Sequence, residues 1–170
     1  MDAPMIAPLS LSNLITVVLA VICLSTILPQ ARGNVVKIWR LAMPACLGMV
    51  VAFILLAGVF NADLVTDAEW LAALLVGGVA GRLRGWTAAI EVDQASSLMR
   101  QRRSADGTIA ATGLVLVAMF DFASAAFRDI WIEPEHVAAA AALFAGFLGC
   151  RALAIAVRTT RLPHHELHVA

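Results

Sequence analysis

Charge is scarce in this chain. Only 14% of its 170 residues are charged, against about 25% in soluble proteins. Hydrophobic residues make up 61%, against roughly 45–50%. A soluble core of this size has no room for so much apolar surface, so lipid is the expected solvent. Cysteine is also sparse: Cys23, Cys46 and Cys150 are an odd count and all lie in apolar stretches, which speaks against a secreted disulfide framework. Residues 1–10 contain no Lys or Arg. The basic n-region of a secretory signal is missing there, and so is the basis for a lipoprotein reading of Cys23. The first apolar segment is therefore expected to be a retained helix. No phosphate loop, nucleophile elbow or dinucleotide fingerprint occurs, so no catalytic residue is expected. No histidine falls mid-span, which excludes a histidine-ligated haem or chlorin; no cofactor and no metal is expected. The net charge is zero, and no basic face suited to nucleic acid is visible.

What the chain does contain is long apolar runs. A helix needs about 20 apolar residues to cross the hydrocarbon core. Candidate spans are 11–28, stopped by Pro29; 41–60, with Pro44 in its first turns, where a missing N–H costs little; 70–81; 107–127; and 137–157. The third is short, unless Arg82 and Arg84 snorkel to the interface. The fold class expected is an all-α membrane bundle of about five transmembrane helices, forming a single transmembrane domain over residues 1–170.

Sidedness follows from the basic residues, which mark the cytoplasmic face. Arg32, Lys37 and Arg40 follow the first span; Arg82, Arg84, Arg100, Arg102 and Arg103 follow the third; Arg158 and Arg161 follow the fifth. The other side holds Arg128 together with the acidic Asp2, Asp63, Asp67, Glu69, Asp129, Glu133 and Glu135. This asymmetry requires the third segment to cross. It places the N-terminus outside and the C-terminus inside, in the manner of a multi-pass protein of a bacterial inner membrane. Trp39, Trp70, Trp86 and Trp131 all fall at expected span ends, where an apolar ring meets a wet N–H.

The one substantial polar segment is 87–106. Ile90-Glu91-Val92-Asp93 alternates apolar and charged residues, and 98–103 is its expected partner, with 94–97 turning between them. This predicts a short cytoplasmic β-hairpin.

Three constellations invite a functional reading. Gly77, Gly81 and Gly85 recur at every fourth position, and Ala138, Ala142, Gly146, Cys150 and Ala154 form a second small-residue stripe. Such faces let membrane helices approach closely. They serve either packing within this chain's bundle or docking on another subunit. Asp121 and Arg151 are intramembrane charges, which are functional candidates by default. At ~1.5 Å per residue they are offset by roughly 12 Å in depth, so no direct ion pair is expected. Arg151 is expected to snorkel inward, and Asp121 to meet Ser124 or Asn13, to carry a proton or to bind a ligand. Cys23, Cys46 and Cys150 all fall roughly 7–11 Å below the cytoplasmic face and form a candidate thiol or soft-metal site; the plainer reading is that they act as small apolar residues. His164, His165 and His168 belong to a tail read as solvated.

The run Val76-Gly77-Gly78-Val79-Ala80-Gly81-Arg82-Leu83-Arg84-Gly85, followed by Ile90-Glu91-Val92-Asp93 and the basic stretch 100–103, resembles the CcdC-like small bacterial membrane proteins over about residues 70–125. The resemblance implies a glycine-rich helix end joined to a short charged hairpin and a further span. It implies no activity and no catalytic residue.

Together these features predict a non-enzymatic accessory or assembly subunit. It would pack through its small-residue faces with itself, as a homo-oligomer, or with a larger respiratory or photosynthetic membrane complex. Two alternatives stand beside it: a small transporter or proton-coupled carrier using Asp121 and Arg151, and a membrane thiol or metal handler.

Overall fold

The computed structural model describes residues 11–59, 64–127 and 132–161. The described residues form five α-helices and a small sheet: α1 (Leu11–Ala31), β1 (Val35–Lys37), a 3₁₀ turn (Ile38–Leu41), α2 (Ala42–Val59), α3 (Leu64–Thr87), β2 (Ile90–Asp93), β3 (Leu98–Gln101), α4 (Asp106–Phe127) and α5 (Pro134–Thr159). Among the described residues four stretches are long and apolar enough to cross a membrane: α1, the 3₁₀ turn with α2, α4 and α5. Asp63, Arg128, Asp129, Trp131 and the histidines of the tail lie outside the described residues.

Helix ends are set by local chemistry, and several differ from expectation; α5, for one, begins three residues early, at Pro134. The first helix does not stop at Pro29 but runs on to Ala31. A proline so near the end loses a single helical hydrogen bond. The actual terminator is Gly33, at φ +80°. Gly33 N–H donates to Gln30 O and Asn34 N–H to Pro29 O, both at 3.1 Å. This pair of bonds is the Schellman closure, whose left-handed residue is usually glycine. The third helix exceeds its expected 70–81 by six residues at each end (64 against 70, 87 against 81). Asp67 in its first turn and Arg84 in its last suit the signs of the helix dipole, so charges that shorten the apolar run lengthen the helix. At ~1.5 Å per residue it spans about 36 Å, yet its charged ends leave it less apolar than the other four. The extension also places Trp70 in the second turn rather than at the helix end, with its ring 6.1 Å from that of Phe53 on α2.

The expected two-stranded hairpin is a three-stranded antiparallel sheet in the order β1-β3-β2. The added strand comes from the connection between α1 and α2. Val36, Met99 and Val92 are directly opposite one another across the sheet. Strand side chains alternate between faces, so these three share the face that meets α5. There Val36 and Met99 pack with Leu41, Ala152 and Ile155 in one buried cluster.

Glycine geometry fixes helix direction and packing. A Cβ on Gly77 would collide with Leu143 O, and one on Gly81 with Phe147 O; at Gly85 it would come within 2.8 Å of Arg151 O. Three glycines thus meet three carbonyls, both series advancing by four residues, so α3 and α5 run parallel and touch backbone to backbone. From the other side Gly146 fits against Leu74 O and Gly78 N. Ala138, Ala142 and Ala154 are buried as well. Both small-residue stripes are therefore consumed inside the chain. Of the two readings open for these faces, packing within the chain's own bundle is the one these contacts display. α5 also packs on α2 and α4, and α1 on α2 and α4. The main core lies among those four helices and includes Ile27, Val51, Leu114 and Leu148. α3 is an outrigger on α5, with Leu75, Val76, Val79 and Leu83 exposed along its outer side.

A methyl group at Gly81 forces the two backbones apart. Gly81→Ala is expected to destabilise the fold by about 1–3 kcal/mol, the usual range for overpacking. Gly58→Ala, where a Cβ meets nothing within 4 Å, serves as the control. Unfolding midpoints of both variants in detergent micelles check this; equal midpoints would show that the close approach is not needed.

Candidate anion-binding recess

The sheet lies at one end of the bundle, beside the C-terminal ends of α1, α3 and α5 and the N-terminal ends of α2 and α4. Four side chains tie the sheet and its connections to the helix ends. Arg151 Nη2 donates to Gln101 Oε1 at 3.0 Å, both side chains being buried. Gln101 shares the helix-facing side of β3 with Met99, which is why it reaches Arg151. Arg158 Nη1 donates to Gly85 O (2.9 Å) and Ala88 O (2.6 Å), capping the end of α3. Arg100 Nε donates to Gly33 O at 3.2 Å, and Gln94 Nε2 to Thr159 O at 3.4 Å. The β2–β3 turn is closed by Asp93, whose Oδ1 accepts from Ala95 N–H at 3.0 Å and Ser96 N–H at 3.2 Å.

Between the end of α1, the sheet and the end of α5 lies an open recess of about 760 Å³. Five arginines are among its lining residues: Arg32, Arg100, Arg102, Arg103 and Arg158. Glu91 is the one acidic lining residue among the described residues. Among the described residues none of these five arginines lies in a salt bridge; the ion pairs found are Arg84–Asp106 and those of His136 with Glu69 and Glu133. Arg100 and Arg158 are partly committed to backbone carbonyls, whereas Arg32, Arg102 and Arg103, exposed like Arg100, are not. Such a concentration of one sign in a concave surface raises the local concentration of anions. Guanidinium is also the group best shaped to hold phosphate or carboxylate through two parallel bonds.

The residues singled out from the sequence fall elsewhere. Asp121 lies toward the opposite end of the bundle, where its Oδ2 accepts from Asn13 Nδ2 at 2.8 Å. Arg151 is 5% exposed and bonded to the sheet, so the two charges serve separate contacts. It does lean toward the sheet end, but into protein rather than out to the interface. The three cysteines do not assemble. Cys23 is buried, with Sγ 3.3 Å from Pro44 O; Cys46 is exposed; Cys150 faces Gly78. Among the described residues no group of three or more His, Cys, Asp or Glu is placed to hold a metal. In the sequence the recess arginines stand out only as markers of sidedness. The signal for their gathering is that they come from three segments that alternating helices bring to one end.

No protein-family model, curated protein or solved structure matches this chain.

Removing the acceptor of Arg151 leaves a buried cation without its hydrogen-bonded side chain, with only the charge of Asp106 nearby. Gln101→Leu is expected to cost about 1–3 kcal/mol. Adding Arg151→Met is expected to recover part of the loss, because replacing a whole buried polar pair costs less than breaking it. A double-mutant cycle on detergent unfolding, together with amide exchange at 98–101, measures both effects. A neutral Gln101→Leu would remove the contact's role in holding the sheet.

Proposed function

We propose that this chain is a non-enzymatic integral membrane protein that crosses the bilayer five times and holds a structured, basic cap at the cytoplasmic surface, where it acts as an accessory or assembly subunit. The observation that carries the reading is the bonding of the sheet to the helix ends. The segments that would be the cytoplasmic loops of a five-span protein pair with one another, and they are pinned by Arg151–Gln101, Arg158 and Arg100. A chain that needed only to anchor itself has no use for such order in its loops. Ten of the twelve Lys and Arg residues belong to segments on this side, the distribution expected of cytoplasmic loops. α3 is long enough to cross, and its crossing keeps Asp67 and Glu69 on the far side from Arg82 and Arg84. With both small-residue stripes occupied, the cap is the surface left for recognition. The likeness of residues 70–125 to the CcdC-like membrane proteins fits this arrangement and adds no activity to it.

Sidedness tests the proposal directly. In a variant without Cys23, Cys46 and Cys150, a cysteine placed at the exposed hairpin position Ala95 is expected to react with an impermeant maleimide only after the cells are opened. A cysteine at Glu133 is expected to react in intact cells. Labelling of Ala95→Cys in intact cells would refute the five-span orientation. Purification in mild detergent tests the subunit role: a partner held at a fixed ratio supports it. A homo-oligomer around a polar central cavity would instead support a small transporter.

A further inference from the structure

Arg158 and Arg100 account for part of the basic charge at the cap, because they close the carbonyl ends of α3 and α1. Arg32, Arg102 and Arg103 do not. They line the same recess from two different segments, with no salt-bridge partner among the described residues. Holding five guanidiniums around one concavity with a single carboxylate, Glu91, is unfavourable in isolation. An anion carrying more than one oxygen relieves it. The recess also has a definite height along the bundle. Arg32 directly follows the last residue of α1, and Arg158 sits in the last turn of α5. At the same end Trp39 and Trp86 are 58% and 43% exposed, as tryptophans at a headgroup boundary are.

We infer that the recess between the end of α1, the sheet and the end of α5 binds phosphate, and that its ligand is the headgroup of an anionic phospholipid of the cytoplasmic leaflet. Basic pockets where membrane helices meet the cytoplasmic surface bind such headgroups, and forked guanidiniums suit their phosphate oxygens. Arg32, Arg102 and Arg103 supply the donors. Arg100 and Arg158 fix the walls, because each is tied to backbone. The bound lipid ties the first and last helices to the cap. The lipid source of the phosphate rests on the proposed membrane crossing, whereas the phosphate chemistry rests on the recess alone.

Native mass spectrometry of the full chain in a neutral detergent tests this, with phosphatidylglycerol, phosphatidylcholine and inorganic pyrophosphate as probes. The wild type is expected to retain phosphatidylglycerol in preference to phosphatidylcholine. The Arg32→Ala/Arg102→Ala/Arg103→Ala variant is expected to lose at least about tenfold in that binding, since each basic side chain near an anionic surface contributes several-fold. Lys37→Ala/Arg40→Ala/Arg161→Ala removes the same charge outside the recess and is expected to keep the binding. Equal loss in both variants would overturn the site in favour of diffuse attraction. Retention by neither variant nor wild type would overturn it outright. Pyrophosphate binding that needs the three recess arginines, without lipid retention, would overturn the lipid as the source. Folding of each variant is checked by its thermal midpoint in phosphatidylcholine. Because the readout does not depend on which way the chain faces, a failure here is distinct from a failure of the sidedness labelling.

Discussion

The backbone contact between α3 and α5 is the constraint on which the rest of this structure depends. Apolar helices gain nothing from leaving lipid for one another, since lipid tails are as apolar as leucine. Their association rests on close packing and on contacts that only short side chains permit. Here three glycines on one helix meet three carbonyls on the other. The match in spacing fixes the register, the parallel direction and the separation at once. α3 has little else to hold it: its outer side is apolar and exposed, and its principal helix neighbour is α5. Its last turn must nevertheless end where Arg158 can cap it and where β2 can begin. A shift of one residue in that register would move the sheet relative to α5 and separate Arg151 from Gln101.

The second layer of order is polar and depends on the first. Arg151 is buried in a helix among alanines, a costly position that is made tolerable by a partner outside the helix. That partner is supplied by a strand whose alternation sends Met99 and Gln101 to the same side. One face of the sheet therefore carries both an apolar seal, with Val36, Met99 and Ile155, and a charge-assisted bond. The seal keeps water from the bond, and the bond sets the register of the seal. Charge-assisted hydrogen bonds are stronger than neutral ones where water is excluded.

Most of the helical architecture was legible in the sequence because its signals are local. Apolar runs gave four helices close to their extents, and alternation at Ile90–Asp93 gave the strand pair. What was not legible depends on distance. β1 is three residues long, and its partner lies more than sixty positions later; its only local sign is Val35-Val36 following a glycine that ends a helix. The length of α3 was underestimated because its terminal charges lower its hydropathy while favouring its helicity. Pro29 is the louder stop signal at the end of α1, but the left-handed backbone at Gly33 does the terminating. The glycine spacing identified a packing face correctly as a face, but spacing alone does not name the neighbour. The recess was invisible for the same reason as β1: its arginines come from segments far apart in the chain.

The division of surfaces follows from how each type of contact is satisfied. Small residues are useful only when another backbone touches them, so in a chain with several helices the best small-residue face tends to be taken by the chain itself. The large aliphatic residues left outside, such as Leu75, Val79 and Leu83 on α3, are interchangeable with lipid and carry little specificity. The end of the bundle differs, because polar groups can be held there in fixed positions without being buried. Rigid strands are better suited to this than loops, because they fix the spacing of the side chains they carry. The sheet sets Arg100 on a strand that is hydrogen-bonded on both sides and ties its guanidinium back to Gly33. The same order that keeps Gln101 under Arg151 therefore keeps the recess open and its charges apart.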